Sequence, residues 1–327
     1  MLNWLFFLMA VPSGMRIQAD LHLDTPAQFH RKGLALDAPT GLEGGIPQLR
    51  EGGINLAVEA LWPPRGVDPR AHVYGVMERL QIEDRRLDEI VIVKSPQRAK
   101  REIQNGRIAI LIAIEGAHGL GQQNWEATLD DLHRQGLTVL GLTWSFSNQF
   151  AGSSGDQGGG LSALGRRLVA STQKMGILLD VSQASKQTVM EVCSNSPVPV
   201  IASHSNAAAV HDHSRNLSDE EIRCIADTGG VIGLNFHRPF LGGSQDIQQV
   251  VAHANHIASI AGHESVAIGS DFDGLIQPAV GLNTSADLGA LVSALRSNGW
   301  TRAQIDGFYG ENFFRAWSAA HDYAKQF

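Results

Sequence analysis

Short, near-continuous apolar runs recur eight times along this chain, and that recurrence limits its possible folds more than any other feature. The runs are Ile17–Asp24, Ile54–Trp62, Ile108–Glu115, Thr138–Trp144, Gly176–Gln183, Val198–Ser205, Val231–His237 and Val266–Asp271. Runs of this kind, rich in β-branched residues, mark strands buried on both faces, as in parallel sheets. The stretches between them are long enough for helices. Ala71–Leu87 and Leu161–Met175 are amphipathic at the 3.6-residue period, and Asn124–Gln135 and Ser218–Ala226 also read as helices. Ser218 followed by Glu221 forms a capping box. Eight rounds of strand and helix predict an α/β fold of (β/α)8 TIM-type barrel architecture. No composition shift divides the chain, so residues 15–327 are expected to form one domain.

Composition narrows the function classes. The chain has 327 residues, 43% of them hydrophobic, enough to build a large core. A net charge of -7 with dispersed Lys and Arg argues against nucleic acid or an anionic membrane surface as partner. Two cysteines, Cys193 and Cys224, cannot build a disulfide framework or a four-thiolate zinc site. Residues 1–14 read as an N-terminal extension or a signal-like segment. Their apolar stretch Leu5–Val11 is too short to span a bilayer and has no basic residue before it. Cytoplasmic residence is therefore expected, with export as the alternative if this segment acts as a signal.

The strand ends carry the chemistry. Nearly every run terminates in a reactive side chain, and in a barrel of this type the carboxyl ends of the strands form the catalytic face. His22 and Asp24, two apart on a strand, share one side and can reach one ion. Imidazole with carboxylate suits Zn²⁺ or a similar divalent metal. Glu115 follows the next long run and could bridge two cations. His204 lies in Ser203-His204-Ser205-Asn206, and Asp271 closes the eighth run as a candidate acid/base. Asp273 beside Gly274 reads first as a turn residue. Arg215 reads equally as a solvent-facing arginine and as a bidentate clamp for a substrate carboxylate. The stretch Gly152–Gly160 reads as a flexible loop or lid, and His211, His213, His253, His256 and His263 as solvated. Metalloprotease H-E-x-x-H, nucleophile-elbow, P-loop and dinucleotide motifs are absent.

From about Ala19 to Trp317 these motifs resemble the membrane (renal-type) dipeptidase family, peptidase family M19, within the amidohydrolase superfamily. The resemblance rests on Asp20-Leu-His-Leu-Asp-Thr-Pro, Glu115-Gly-Ala-His, Gly159-Gly-Leu-Ser-Ala-Leu-Gly, Ser203-His-Ser-Asn, Arg215-Asn-Leu-Ser-Asp, Ile268-Gly-Ser-Asp-Phe-Asp-Gly and Gly310-Glu-Asn-Phe-Phe-Arg. It implies a binuclear zinc barrel that cleaves dipeptides, and a homodimer. His22 and Asp24 would hold the more buried ion, Glu115 would bridge, and His204 would serve the second. Asp271 would be the acid/base, and Arg215 would bind the C-terminal carboxylate.

The chain departs from the family pattern at three strand ends. Gln183 stands where the family writes a histidine ligand, and a neutral amide is a weaker ligand than imidazole. Trp144 stands where a family histidine supports the oxyanion; indole donates one N–H and carries no proton charge. His237 stands where tyrosine is more frequent, and could compensate for a missing histidine. The expected activity is hydrolysis of a dipeptide or small N-acyl amino acid through metal-activated water, with one or two divalent ions. The alternative is a catalytically weak member that binds a ligand or partner.

Overall fold

The computed structural model describes residues 16–156 and 158–327. The 1–14 segment lies outside the described residues. Among the described residues nine parallel strands form in chain order: β1 (Ala19–Leu23), β2 (Leu56–Leu61), β3 (Ile90–Ile92), β4 (Ile108–Ile114), β5 (Leu137–Gly141), β6 (Leu178–Asp180), β7 (Val200–Ala202), β8 (Val231–Leu234) and β9 (Val266–Ile268). Eight of them follow one another around a nearly closed (β/α)8 barrel in the order β1-β2-β4-β5-β6-β7-β8-β9. These eight correspond to the eight apolar runs.

β3 is an addition that the sequence pattern did not announce, being only Ile-Val-Ile. It pairs with the start of β4 (Ile90 to Ile108, Ile92 to Ile110), while β5 pairs with the end of β4 (Ile112 to Leu137). β2 pairs with β4 along its whole length, so β3 and β5 divide the opposite edge between them.

Side chains alternate across this sheet. Ala109, Leu111 and Ala113 of β4 pack inward with Leu56, Val58, Val139, Leu178, Ile201 and Val231. Ile108, Ile110, Ile112 and Ile114 pack outward against the helical layer. Phe313 and Trp317 of the C-terminal helix Asn312–Ala324 join the inner cluster and close the bottom of the barrel. The polar strand ends gather at the other mouth.

The expected helices form as Pro69–Arg86, Trp125–Gln135, Ala163–Met175 and Asp219–Asp227. The last is capped reciprocally by Ser218 and Glu221. No helix among the described residues is long and apolar enough to cross a membrane.

The glycine-rich loop has definite contacts, and one expectation about the surface is corrected. Around the described part of Gly152–Gly160, Ser154 N–H donates to Gln183 O at 2.8 Å and Ser185 N–H to Gly152 O at 2.9 Å, while Gly152 N–H donates to Gly160 O at 3.2 Å within the segment. Its glycines let these backbones approach more closely than a Cβ would allow. His253 is fully buried, its Nδ1 accepting from Ala207 N–H at 3.1 Å and its Nε2 paired with Leu241 O at 3.0 Å. His211, His213, His256 and His263 are half-buried rather than fully solvated.

Candidate metal centre

The seam that closes the barrel is made by the backbone of the candidate residues. Asp271 N–H donates to His22 O at 3.1 Å, and Asp24 N–H donates to Phe272 O at 2.9 Å. Residues from opposite ends of the chain are thereby fixed side by side. Asp271 and Gln183 both adopt left-handed backbone, with φ of 65° each. That conformation is strained for residues other than glycine, and such strain concentrates where side chains must be aimed. Gly274 leaves the room: a Cβ there would collide with Asp271 Oδ1 and stand 2.6 Å from Asp24 Oδ2.

His22, Asp24, Glu115, Gln183, His204 and Asp271 are all buried at this mouth. His22 Nε2 lies 3.7 Å from Asp24 Oδ2 and 3.7 Å from Glu115 Oε1, and His204 Nε2 lies 3.4 Å from Glu115 Oε1. Two donor groups have metal-compatible spacing, His22 with Glu115 and His204, and His22 with Asp24 and Asp271. Donor atoms held tetrahedrally around one zinc-sized ion stand about 3.4 Å apart, so the spacing fits. Buried His22 Nε2 and Asp24 Oδ1 have no hydrogen-bond partner in the protein, as expected of atoms kept for a cation.

The electrostatics point the same way. Burial pushes Asp24, Glu115 and Asp271 above the usual carboxylate range, and their mutual repulsion adds to the rise of Asp24 and Asp271. Burial would depress His22, but the surrounding carboxylates hold it up at about 10. His204 is driven well below its ordinary value by burial, by His22 and by Arg215. A cluster with this much buried negative charge favours a bound cation.

A single hydroxyl orients both imidazoles. Ser203 Oγ donates to Asp180 Oδ2 at 2.5 Å and lies 2.8 Å from His204 Nδ1 and 3.2 Å from His22 Nδ1. Its proton is committed to Asp180, so it accepts from both rings, leaving each Nε2 free as a ligand atom. Asp180 Oδ1 also accepts from Ser182 N–H and Ser203 N–H, each at 2.9 Å. Asn235 donates to Asp271 Oδ2 at 2.9 Å. Sequence reasoning passed over Asp180, Ser203 and Asn235 as functional residues. Asp180, a carboxylate ending the apolar run Leu178–Leu179, was the available signal.

Above the donors opens a cavity of about 430 Å³. Its lining includes the adjacent pair Trp62 and Trp144, Ser145, and Arg215 and His237 packed around Phe240.

A family model for membrane dipeptidase (peptidase family M19) matches residues 14–327. The chain belongs to peptidase family M19.

Solved structures agree. A metallopeptidase from Rhodobacter sphaeroides, determined with a phosphinate mimic of the dipeptide L-Ala-D-Ala, is 25% identical. The match covers 93% of this chain and 99% of that one, with a TM-score of 0.85. A dipeptidase of family M19 is 26% identical over 94% and 99% of the two chains, also at 0.85. An amidohydrolase from Pseudomonas aeruginosa, 22% identical over 94% and 97%, shares the fold at 0.82.

Within the M19 framework the three departures take definite positions. Gln183 Nε2 donates to Glu115 Oε1 and lies 3.3 Å from His204 Nε2, while its Oε1 accepts from Ser145 Oγ at 3.1 Å. Trp144 stands on the cavity wall. His237 lines the cavity but belongs to neither donor group. Its Nδ1 accepts from Gln277 N–H at 2.9 Å, and its ring packs edge-on against Phe240. Arg215 is half-buried rather than solvent-facing. It donates to His204 O at 3.3 Å and lies 5.4 Å from the Phe240 ring centre.

Proposed function

We propose that this chain is a metal-dependent hydrolase that cleaves the amide bond of dipeptides or related small N-acyl amino acids, and that it works with one divalent ion, zinc by the chemistry of its donors. One observation carries the reading: His22 Nε2 and Asp24 Oδ1, buried and unpartnered, converge with Glu115, His204 and Asp271 under an open cavity. Membership of M19 and the dipeptide mimic bound by the Rhodobacter relative support the substrate class.

His22, Asp24 and Glu115 would hold the ion, with His204 and Asp271 beside it. Bound there, a divalent ion supplies Lewis acidity, polarising the scissile carbonyl and acidifying a water. The Asp271 carboxylate, held by Asn235, would serve as the acid/base, accepting a proton from the attacking water and delivering it to the departing amine. Arg215, braced by Phe240 and the His204 carbonyl, presents its remaining N–H groups to the substrate carboxylate. Trp144 offers an N–H where the resemblance expects a histidine, so it can donate to an oxyanion but cannot hold a transferable proton. The single-ion reading is supported by Gln183, whose amide NH2 spans the gap between Glu115 and His204.

The test combines metal analysis with turnover. The purified protein is loaded in turn with Zn²⁺, Mn²⁺ and Co²⁺, its metal content measured by mass spectrometry, and a broad dipeptide panel supplied. About one tightly held ion per chain and hydrolysis of part of the panel are expected. Bound metal without turnover of any member would overturn the hydrolase reading in favour of a ligand-binding role.

A further inference from the structure

Resting on the hydrolase reading, we infer that the cavity selects substrates carrying a bulky apolar side chain, aromatic above all, on the amino side of the scissile bond, through a wall built by Trp62 and Trp144.

The barrel's topology sets the direction of the substrate. In the ring order β1-β2-β4-β5-β6-β7-β8-β9, β2 and β7 are four places apart, on opposite sides of the mouth. Trp62 follows β2, and Arg215 lies on the segment after β7. A molecule that gives its carboxylate to Arg215 and its amide to the donors at the centre therefore extends its amino-side residue toward Trp62. Trp144, after β5, stands beside that path, its ring centre 4.9 Å from that of Trp62.

The wall is preorganised. Phe146 meets Trp144 edge-on at 5.4 Å and is covered in turn by His118 at 4.9 Å and by the Arg65 guanidinium at 4.4 Å. Ser153 Oγ ties the Trp144 carbonyl at 2.6 Å. Neither tryptophan is fully buried, so each leaves part of its surface open to the cavity. A rigid aromatic pair facing a cavity gains affinity from apolar area without ordering cost, and it discriminates by the size of the group placed on it. The opposite wall has a different character: Arg215, His213 and His237 surround Phe240. The cavity is thus apolar and aromatic at one end and cation-bearing at the other, matching an amphipathic substrate with one free carboxylate.

The test measures kcat/KM for X-Ala, with X as Gly, Ala, Leu or Phe, alongside Ala-X controls, the carboxyl-terminal residue being supplied in both stereochemical forms. For the metal-loaded wild type we expect at least a tenfold rise from Gly to Phe at the amino side and no comparable rise at the carboxyl side. Trp62→Ala and Trp144→Ala should each shrink the Phe/Gly ratio, which cancels any general loss of rate. Circular dichroism and metal content would verify folding. In parallel, calorimetry would give Kd for the non-hydrolysable phosphinate analogues of Phe-Ala and Gly-Ala, with the same ratio expected and the same loss in the variants. Turnover with no amino-side preference, or a ratio unchanged in both variants, would overturn the wall and leave the hydrolase reading standing. Absence of turnover with the phosphinate preference intact would do the reverse.

Discussion

The two halves of the candidate metal centre are built from similar materials and differ in what their ligand atoms already touch. In the half formed by His22, Asp24 and Asp271, ligand atoms are buried, spaced for one ion and, at His22 Nε2 and Asp24 Oδ1, left without a partner. In the half formed by His204 and Gln183, an amide NH2 already engages Glu115 and faces the free imidazole nitrogen. A cation and an amide N–H both satisfy a carboxylate oxygen, but only the cation brings Lewis acidity. On the single-ion proposal, one residue at a strand end changes what the centre can hold while the barrel beneath it keeps its register.

The comparison can be broken in several ways, taken here from the largest expected effect. His22→Ala removes the imidazole common to both donor groups. It should abolish tight metal binding and lower kcat/KM by more than about a hundredfold, read by metal analysis and steady-state kinetics. Retained metal would mean that the halves have been assigned wrongly. Ser203→Ala withdraws the hydroxyl that fixes both rings, so metal affinity should fall about 10–100-fold, read by chelator competition. An unchanged affinity would show that the rings need no such support. Gln183→His should raise the metal content from about one to about two ions per chain by mass spectrometry. A content that stays at one would remove the amide as the reason for asymmetry. His253→Leu is the control, because this histidine is buried with both nitrogens paired to backbone. It should cost about 1–3 kcal/mol in denaturant unfolding and leave metal content unchanged.

Buried histidines therefore fall into two kinds here, and sequence alone did not separate them. His253 read as a surface residue, yet in the core it holds the Ala207 backbone to that of Leu241 at a helix end. Its helix, Ile247–Ala261, has an apolar stripe, but which residue the stripe buries depends on the neighbours it meets. His22 and His204 could be singled out because each ends an apolar run. The roles of Asp180 and Ser203 could not be read from the sequence, since a hydroxyl that donates to Asp180 and accepts from two imidazoles depends on three strands arriving at one level.

The linear pattern by itself determined the barrel, its eight principal strands and the mouth at which the reactive side chains collect. The reason is local: strand periodicity and the direction of a parallel strand fix which residues end at which rim. The tertiary structure decided what those residues do to one another. Closure between His22 and Asp271, the capture of Glu115 by the Gln183 amide, and the placing of Trp62 opposite Arg215 all depend on contacts distant in sequence. Their geometry follows from barrel curvature and register, which no single segment encodes.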